Sequence, residues 1–308
     1  MRALVVSGGA LPAAPVTVPD PEPGPGQALV EIHHASVNPS ELRHIGHFPD
    51  GAVLGYDSAG VVLRAAEDGT GPAAGARVVA FAAGAWAERA AFATDALAVV
   101  PDGVHLADAA ALPMAGLAAL RSLRATGPLL GRRVLVTGAS GATGRLAVQL
   151  ARRAGAHVIA QVRDPARAGD LGAETVTDLD GVEPVDAVIE LLGGPYLVAA
   201  WRLLRPGGNL QSVGWAAGEP AVFVPNSTFV LGEARTISSF GDAAAPAADL
   251  AYLVELVARG ELSAGVGGRW SWERPGEMAA AIRDGKVRGK AVIDMDPTRT
   301  DDPANNQL

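Results

Sequence analysis

The sequence predicts an α/β fold: a doubly wound parallel sheet in mid-chain, with a smaller β-rich domain built from the two flanks. Three observations carry this. First, an apolar run, Val134-Leu135-Val136, leads into Gly138-Ala139-Ser140-Gly141-Ala142-Thr143-Gly144. A helical stretch follows with Leu146, Val148, Leu150 and Ala151, and then a second apolar run from His157 to Val162. Strand, glycine turn, helix and strand within about 30 residues is a βαβ unit. Second, many short apolar runs punctuated by Gly and Pro precede it, which reads as a small β domain. Third, further apolar runs and helical stretches alternate after it, as a parallel sheet with crossover helices requires.

Composition sets the bounds. The chain has 308 residues, 49% hydrophobic and 19% charged, enough for two domains with a substantial core. A net charge of −8 argues against a general nucleic-acid surface. The absence of cysteine excludes disulfides and every thiolate metal site. No apolar run reaches membrane-spanning length. The opening MRALVVSGGALPAAP is broken by proline too soon for a signal peptide. A cytoplasmic protein with no membrane partner is expected.

In chain order, strands are expected at Ala3–Val6, Gln27–Ser36, Ala76–Phe81, Ala85–Ala93 and Leu97–Pro101, and Val53–Val62 is a turn entering a strand. The proline-rich stretch 12–26 is neither helix nor central strand. A turn with a short helix follows Asn38-Pro39. Leu106–Gly127 is helical in period, with Pro113 starting or kinking it. After the βαβ unit come a strand at Val185–Glu190, a helix at Tyr196–Leu204 stopped by Arg205-Pro206-Gly207-Gly208, and a strand at Asn209–Val213. Ala221–Val224 and Thr236–Phe240 are further strand candidates. Pro246–Gly260 is a helix, Arg269–Trp272 a strand, Pro275–Arg283 a helix and Lys290–Met295 the last strand. The mid-chain domain spans about 113–259, and the flanks are expected to combine as one domain with a cleft beside it, where ligands usually bind. The polar tail from 297 to 308 is expected to be disordered.

The glycine turn has a specific physical use. Gly141 lacks a side chain where backbone approaches a pyrophosphate, and Gly144 lets the helix pack close to the strand. The unpaired N–H groups of the first helical turn face the phosphates. Ser140, Ala142 and Thr143 add backbone and hydroxyl donors. Ala139 stands at the first glycine position of the fingerprint. The alternative is a glycine-rich turn with no ligand. An NAD site ends its second strand with an acid for the ribose 2′-hydroxyl. Here Val162 occupies that place, Arg163 follows, and Arg167 lies four residues later. Guanidinium groups bind a 2′-phosphate by charge-assisted hydrogen bonds, so NADPH is favoured. Asp164 as a displaced acid, or Arg163 as a solvated strand end, are the competing readings. A methyltransferase would also use a glycine turn, usually with the acid that is missing here.

Several segments together resemble the medium-chain dehydrogenase/reductase superfamily, in its zinc-free quinone oxidoreductase branch. They are Val37-Asn38-Pro39-Ser40-Glu41, Leu54 to Val62, Gly75-Ala76-Arg77-Val78, Ala110 to Leu120, the A-x-G-x-x-G turn, Leu204 to Gly208 with Gly214, and Gly285 to Ile293. The resemblance implies a GroES-like catalytic domain at 1–112, completed by 260–296, and a Rossmann domain between them. It implies a homodimer paired through edge strands, for which Ala221–Phe229 is the candidate, an ordinary surface loop being the alternative. In zinc-dependent members the first ligand, a cysteine, falls in the Ser40 region, and the Gly-His-Glu ligand turn reads Gly55-Tyr56-Asp57 here. The four-cysteine structural lobe is absent. His33, His34, His44 and His47 show no helix-face ligand spacing, so no metal is expected. The βαβ unit alone also resembles atypical short-chain reductases and related NADP-sensing regulators. Those begin with this unit, however, and their Tyr-x-x-x-Lys pair is missing.

The resemblance therefore implies hydride transfer from NADPH to a small electron-poor molecule, a quinone or an α,β-unsaturated carbonyl. The alternative is a non-catalytic NADPH-binding sensor or structural protein. Tyr56 is the candidate proton donor, or else packs a cleft wall. Asn38 is the candidate that reaches nicotinamide or substrate, or else caps the turn before Pro39. Leu192, Gly193, Gly214 and Trp215, after Rossmann strands, are expected along the cofactor. Trp270 and Trp272 either line the pocket or pack the core.

Overall fold

The computed structural model describes residues 1–12, 14–168, 171–229 and 231–296. The tail expected to be disordered lies outside them, as does the side chain of Arg167. Strands β1 (Arg2–Ala3) and β2 (Val16–Thr17) form a short antiparallel ribbon. There follow β3 (Gln27–Val37), α1 (Pro39–Arg43), β4 (Asp57–Arg64), β5 (Arg77–Phe81), β6 (Arg89–Ala93), β7 (Leu97–Val99), α2 (Leu106–Ala110) and α3 (Pro113–Ala125). Next come β8 (Arg133–Val136), α4 (Ala142–Arg153), β9 (His157–Gln161), α5 (Pro165–Ala168), β10 (Glu174–Val176), β11 (Val185–Glu190), α6 (Gly194–Leu203), β12 (Leu204–Ser212) and β13 (Thr236–Ser239). The last elements are α7 (Ala247–Ala258), β14 (Val266–Ser271), α8 (Pro275–Arg283) and β15 (Lys290–Asp294).

These elements fall into two compact units, one of Met1–Leu117 with the chain from Ala243 onward, the other Ala118–Asp242. The second unit is shorter than the 113–259 drawn from sequence. The helix α7 goes with the first unit because it packs on β5 and β7, with Leu253 against Gly116.

In the first unit, β3 is the spine of a seven-stranded sheet ordered β14-β15-β3-β4-β5-β7, with β6 also on β3. One side of this 11-residue strand pairs with β4. On the other side its first half, Gln27–Glu31, takes β6, and His34–Val37 takes β15. A single long strand thus recruits the chain's last strand into the N-terminal sheet. The core beneath is closed by Leu4, Trp86, Phe92 and Trp272. Trp272 is 1% exposed and is therefore core; Trp270 is half-buried against the same cluster. Only Arg89–Ala93 of the expected strand Ala85–Ala93 forms. Trp86 instead spans two neighbours, its N–H donating to Leu54 O and its carbonyl accepting from Leu4 N.

In the second unit six parallel strands run β10-β9-β8-β11-β12-β13. In order of appearance that is third, second, first, fourth, fifth, sixth. The winding reverses between β8 and β11, which opens a crevice at the carboxyl ends of those two strands. The strand β10 has a weak apolar signal and was not foreseen. Where the sequence placed Arg205 to Gly208 between helix and strand, β12 already begins at Leu204; the register slips between Val185/Leu204 and Ala187/Asn209 to absorb the insertion. The expected strand at Ala221–Val224 does not form, and Pro220 and Pro225 bracket it, removing ladder donors. The sheet edge is therefore β13. Near it in sequence, Val222, Val224, Phe229 and Leu231 are all exposed. Among the described residues no helix is long and apolar enough to cross a membrane.

Candidate active site

The glycine turn of the second unit sits where the winding reverses. The left-handed backbone falls at Gly138 (φ 60°), so alanine is tolerated at 139, where the residue is buried with an ordinary φ. A Cβ at Gly144 would stand 2.5 Å from Gly138 O and 2.7 Å from Ala139 Cα. Only glycine lets α4 approach the turn this closely. Gln161, the last residue of β9 and fully buried, pins the turn from the side. Its Oε1 accepts from Gly138 N at 3.0 Å and its carbonyl from Ala139 N at 2.9 Å. The sequence reading passed over Gln161; a glutamine ending an otherwise apolar strand was the available signal. Gly141 is the N-cap of α4 without a capping side chain. The N–H groups of Ala142, Thr143 and Gly144 meet no acceptor among the described residues. That first turn, with the positive end of a 12-residue helix behind it, fits a pyrophosphate.

Past β9, Val162 is buried and Arg163 exposed. Asp164, the competing acid, is turned to local use, its Oδ1 accepting from Ala166 N at 3.0 Å at the start of α5. Arg163 has no ion-pair partner among the described residues. On the other side of the crevice, Gly193 (φ 70°) lies under the Trp215 ring, which a Cβ would strike at 2.5 Å. Trp215 is half-exposed and its Nε1 donates to Glu219 O at 2.7 Å. Leu192 leans on Gly138, and Gly214 packs on Leu191 O. Glu190, at the end of β11, is fully buried.

The first unit holds a different constellation, a buried polar cluster where β3, β4 and β15 meet. Asp57 is 0% exposed and Lys290 1% exposed, and Lys290 Nζ reaches Asp57 Oδ2 at 2.7 Å. The same oxygen accepts from Asn38 Nδ2 at 2.9 Å and from Ser36 Oγ at 3.1 Å, while Oδ1 accepts from Met114 N at 3.0 Å. The carboxylate is saturated from inside the protein. Asn38 is equally committed. Its amide N–H groups go to Asp57 and to Glu41 Oε2 at 3.1 Å, and its oxygen accepts from Lys290. Its backbone N–H also donates to Glu41 Oε2, at 2.6 Å. The amide offered by the sequence to nicotinamide or substrate is thus the hub of an internal network. Glu41 and Lys290 were not singled out; Glu41 is the third residue after Asn38, the spacing of a capping box.

Burial, and then the neighbouring Asp57, push the Glu41 carboxyl up to about 8. A protonated Glu41 leaves one carboxylate against one ammonium, which balances the buried charge. Tyr56, one residue before Asp57, is half-buried, its ring near Phe48 and Phe81 at centroid distances of 6.4 and 6.1 Å. Its hydroxyl has no hydrogen-bond partner among the described residues. Its backbone is fixed on both sides, by Asp57 and by Gly55, whose φ of 88° lets it sit against Trp86. Among the described residues no group of three or more His, Asp or Glu is placed to hold a metal ion.

Comparison with known proteins agrees with this architecture. The alcohol dehydrogenase GroES-like domain family matches residues 24–102, and the zinc-binding dehydrogenase family matches 154–293. A trans-enoyl reductase from Aspergillus terreus is 31% identical over 210 residues, covering 58% of this chain and 69% of the relative. This chain belongs to the medium-chain dehydrogenase/reductase superfamily. Among solved members of the superfamily, the quinone oxidoreductase from Coxiella burnetii superposes with a TM-score of 0.82 at 26% identity, covering 96% of this chain and 99% of that one. A mycobacterial protein solved in complex with NADPH does so at 0.82 and 25%, covering 96% and 99%. The chain also matches polyketide synthases, but spans only 4–9% of their length.

The raised Glu41 pKa fixes a pH dependence. Unfolding releases the Glu41 proton at pH values between 4.5 and about 8, so stability falls as pH rises through that window and levels off above it. In Glu41→Gln that slope should flatten, with the variant gaining roughly 5 °C in Tm on wild type between pH 5 and pH 8. Thermal melts at the two pH values check this; parallel slopes would refute it.

Proposed function

We propose that this protein is an NADPH-dependent oxidoreductase that transfers hydride, without zinc, to a quinone or an α,β-unsaturated carbonyl. The observation that carries the reading is the open first turn of α4 at the point where the sheet winding reverses, with the Arg163 guanidinium, which has no ion-pair partner among the described residues, just beyond the second strand. Ala142, Thr143 and Gly144 offer N–H groups to the pyrophosphate, with Ser140 and Gly141 forming the turn. Arg163 takes the 2′-phosphate, and Arg167 is proposed to assist it. Leu192, Gly193, Gly214 and Trp215 line the path of the coenzyme. The NADPH-bound mycobacterial neighbour supports the choice of coenzyme, and the enoyl reductase and quinone oxidoreductase relatives support the substrate class.

Bound NADPH would supply the hydride. Zinc independence rests on the donor set. Where zinc enzymes of the superfamily present ligands, this chain has Ser40, a tyrosine, and an aspartate whose oxygens already serve Lys290, Asn38, Ser36 and Met114 N. The Lys290 ammonium stands beside that carboxylate. The Tyr56 hydroxyl, without a hydrogen-bond partner among the described residues, is proposed to donate the proton that balances the hydride. Asn38 is proposed to act through Asp57 by holding the Tyr56 backbone. A second copy of the chain is proposed to pair along β13 and cover the exposed Val222, Val224, Phe229 and Leu231.

Absorbance of NADPH followed with a panel of quinones and enones should show oxidation; binding without turnover would favour a sensor instead. Arg163→Ala should raise KM for NADPH about tenfold and leave that for NADH within about twofold, and equal effects would refute the assignment. Tyr56→Phe should lower kcat by at least about tenfold with coenzyme affinity unchanged. Sedimentation should give twice the chain mass, reverting to one chain mass in Phe229→Glu.

A further inference from the structure

Glu190 stands unused in this account, although it lies beneath the crevice of the second unit. Its carboxylate is fully buried at the carboxyl end of β11 and accepts three hydrogen bonds. Oε1 takes the Thr137 hydroxyl at 2.9 Å and Leu192 N at 3.1 Å, and Oε2 takes Gly193 N at 2.8 Å. Thr137 Oγ1 in turn accepts from Leu191 N at 2.9 Å. Three consecutive N–H groups of the turn after β11 are thereby drawn inward. The carbonyls of the same turn are held from the other side, Leu191 O by Ala216 N at 3.3 Å and Leu192 O by Ala217 N at 2.8 Å. The carbonyl of Glu190 itself accepts from Val213 N and Gly214 N. One carboxylate therefore organises the ends of β8 and β11 and, through the turn, the segment after β12.

We infer that the Glu190 carboxylate is a positioning residue for the coenzyme: by clamping Thr137 and the turn Leu191–Gly193 it shapes the floor against which the pyridine nucleotide lies, and its protonation loosens that floor. The inference deepens, and rests on, the function proposed above. The chemistry is a matter of acceptors. An ionised carboxylate accepts all three donors at once. An amide must set its NH₂ against Leu192 N or Gly193 N and leaves that buried N–H without an acceptor; a protonated carboxyl turns its own hydrogen to Thr137 Oγ1, reversing that bond, and accepts the two N–H groups more weakly. Burial raises the Glu190 pKa, while the bonds from Gly193, Leu192 and Thr137 hold it down. The groups facing the carboxyl are a hydroxyl of β8 and two backbone N–H groups of the turn. Among the described residues no charged side chain is placed against it.

The test is titration of wild type, Glu190→Gln and Thr137→Val with NADP⁺, which survives acid, by fluorescence quenching from pH 5 to 8. The ratio of dissociation constants, variant over wild type, cancels the titration of the coenzyme's own phosphate. For Glu190→Gln it should be about tenfold at pH 8, the order of one charge-assisted hydrogen bond, and narrow as the pH falls. Thr137→Val removes a donor from the ionised carboxylate, so its midpoint of pH-dependent weakening should move to higher pH. A Glu190→Gln ratio near one throughout, a ratio independent of pH, or an unmoved Thr137→Val midpoint would overturn the inference while leaving the proposed function intact. Failure of wild type to bind NADP⁺ or NADPH at any pH would overturn both. If Glu190→Gln does not fold, the Thr137→Val midpoint decides.

Discussion

The buried pair of Asp57 and Lys290 is the interaction on which the first unit depends. The two residues are 233 positions apart and essentially without solvent. Neither charge is tolerable there alone; breaking a buried pair by removing one partner typically costs about 3–5 kcal/mol. The cluster therefore commits the last strand to the N-terminal sheet. β15 can add to β3 by backbone bonds alone, but only this register puts Lys290 beside Asp57 and Asn38. The same carboxylate fixes Met114 N at the head of α3 and stands next to Tyr56.

The two units deal with buried acids differently. In the first, two carboxyls share one ammonium. The excess charge is removed by raising Glu41 until it keeps its proton. In the second, Glu190 has no cation among the described residues and is held by a hydroxyl and two backbone N–H groups. A cation there would fill space beside the nucleotide crevice, whereas N–H donors drawn from the turn cost no volume. They also convert the carboxylate into a shape-determining element.

Much of this was legible in the residues. The βαβ unit was, because glycine spacing and apolar periodicity are local properties, and Gly144 meets the backbone contact its position requires. The strands of both sheets were mostly found for the same reason. Ala221–Val224 was read as strand from its apolar content, and the flanking prolines outweighed that content. The strand β10 was missed because Glu174-Thr175-Val176 carries little apolar signal and borrows its order from β9. Asn38 was legible as a polar residue at a critical turn. Its partners were not, since Lys290 reaches it from the far end of the chain.

By itself, then, the sequence determined the βαβ unit of the second unit, the absence of thiolate ligands and the cationic residue after its second strand. Each depends on residue type and spacing within a few tens of positions. Only the tertiary structure decided which polar groups remain free. It consumed Asn38 and Asp57 in an internal network, turned Asp164 into a cap, and left the Tyr56 hydroxyl and the first turn of α4 without partners among the described residues. The physical reason is that a hydrogen-bonding group is available to a ligand only if nothing in the folded chain has already satisfied it, and satisfaction is a property of three-dimensional neighbours.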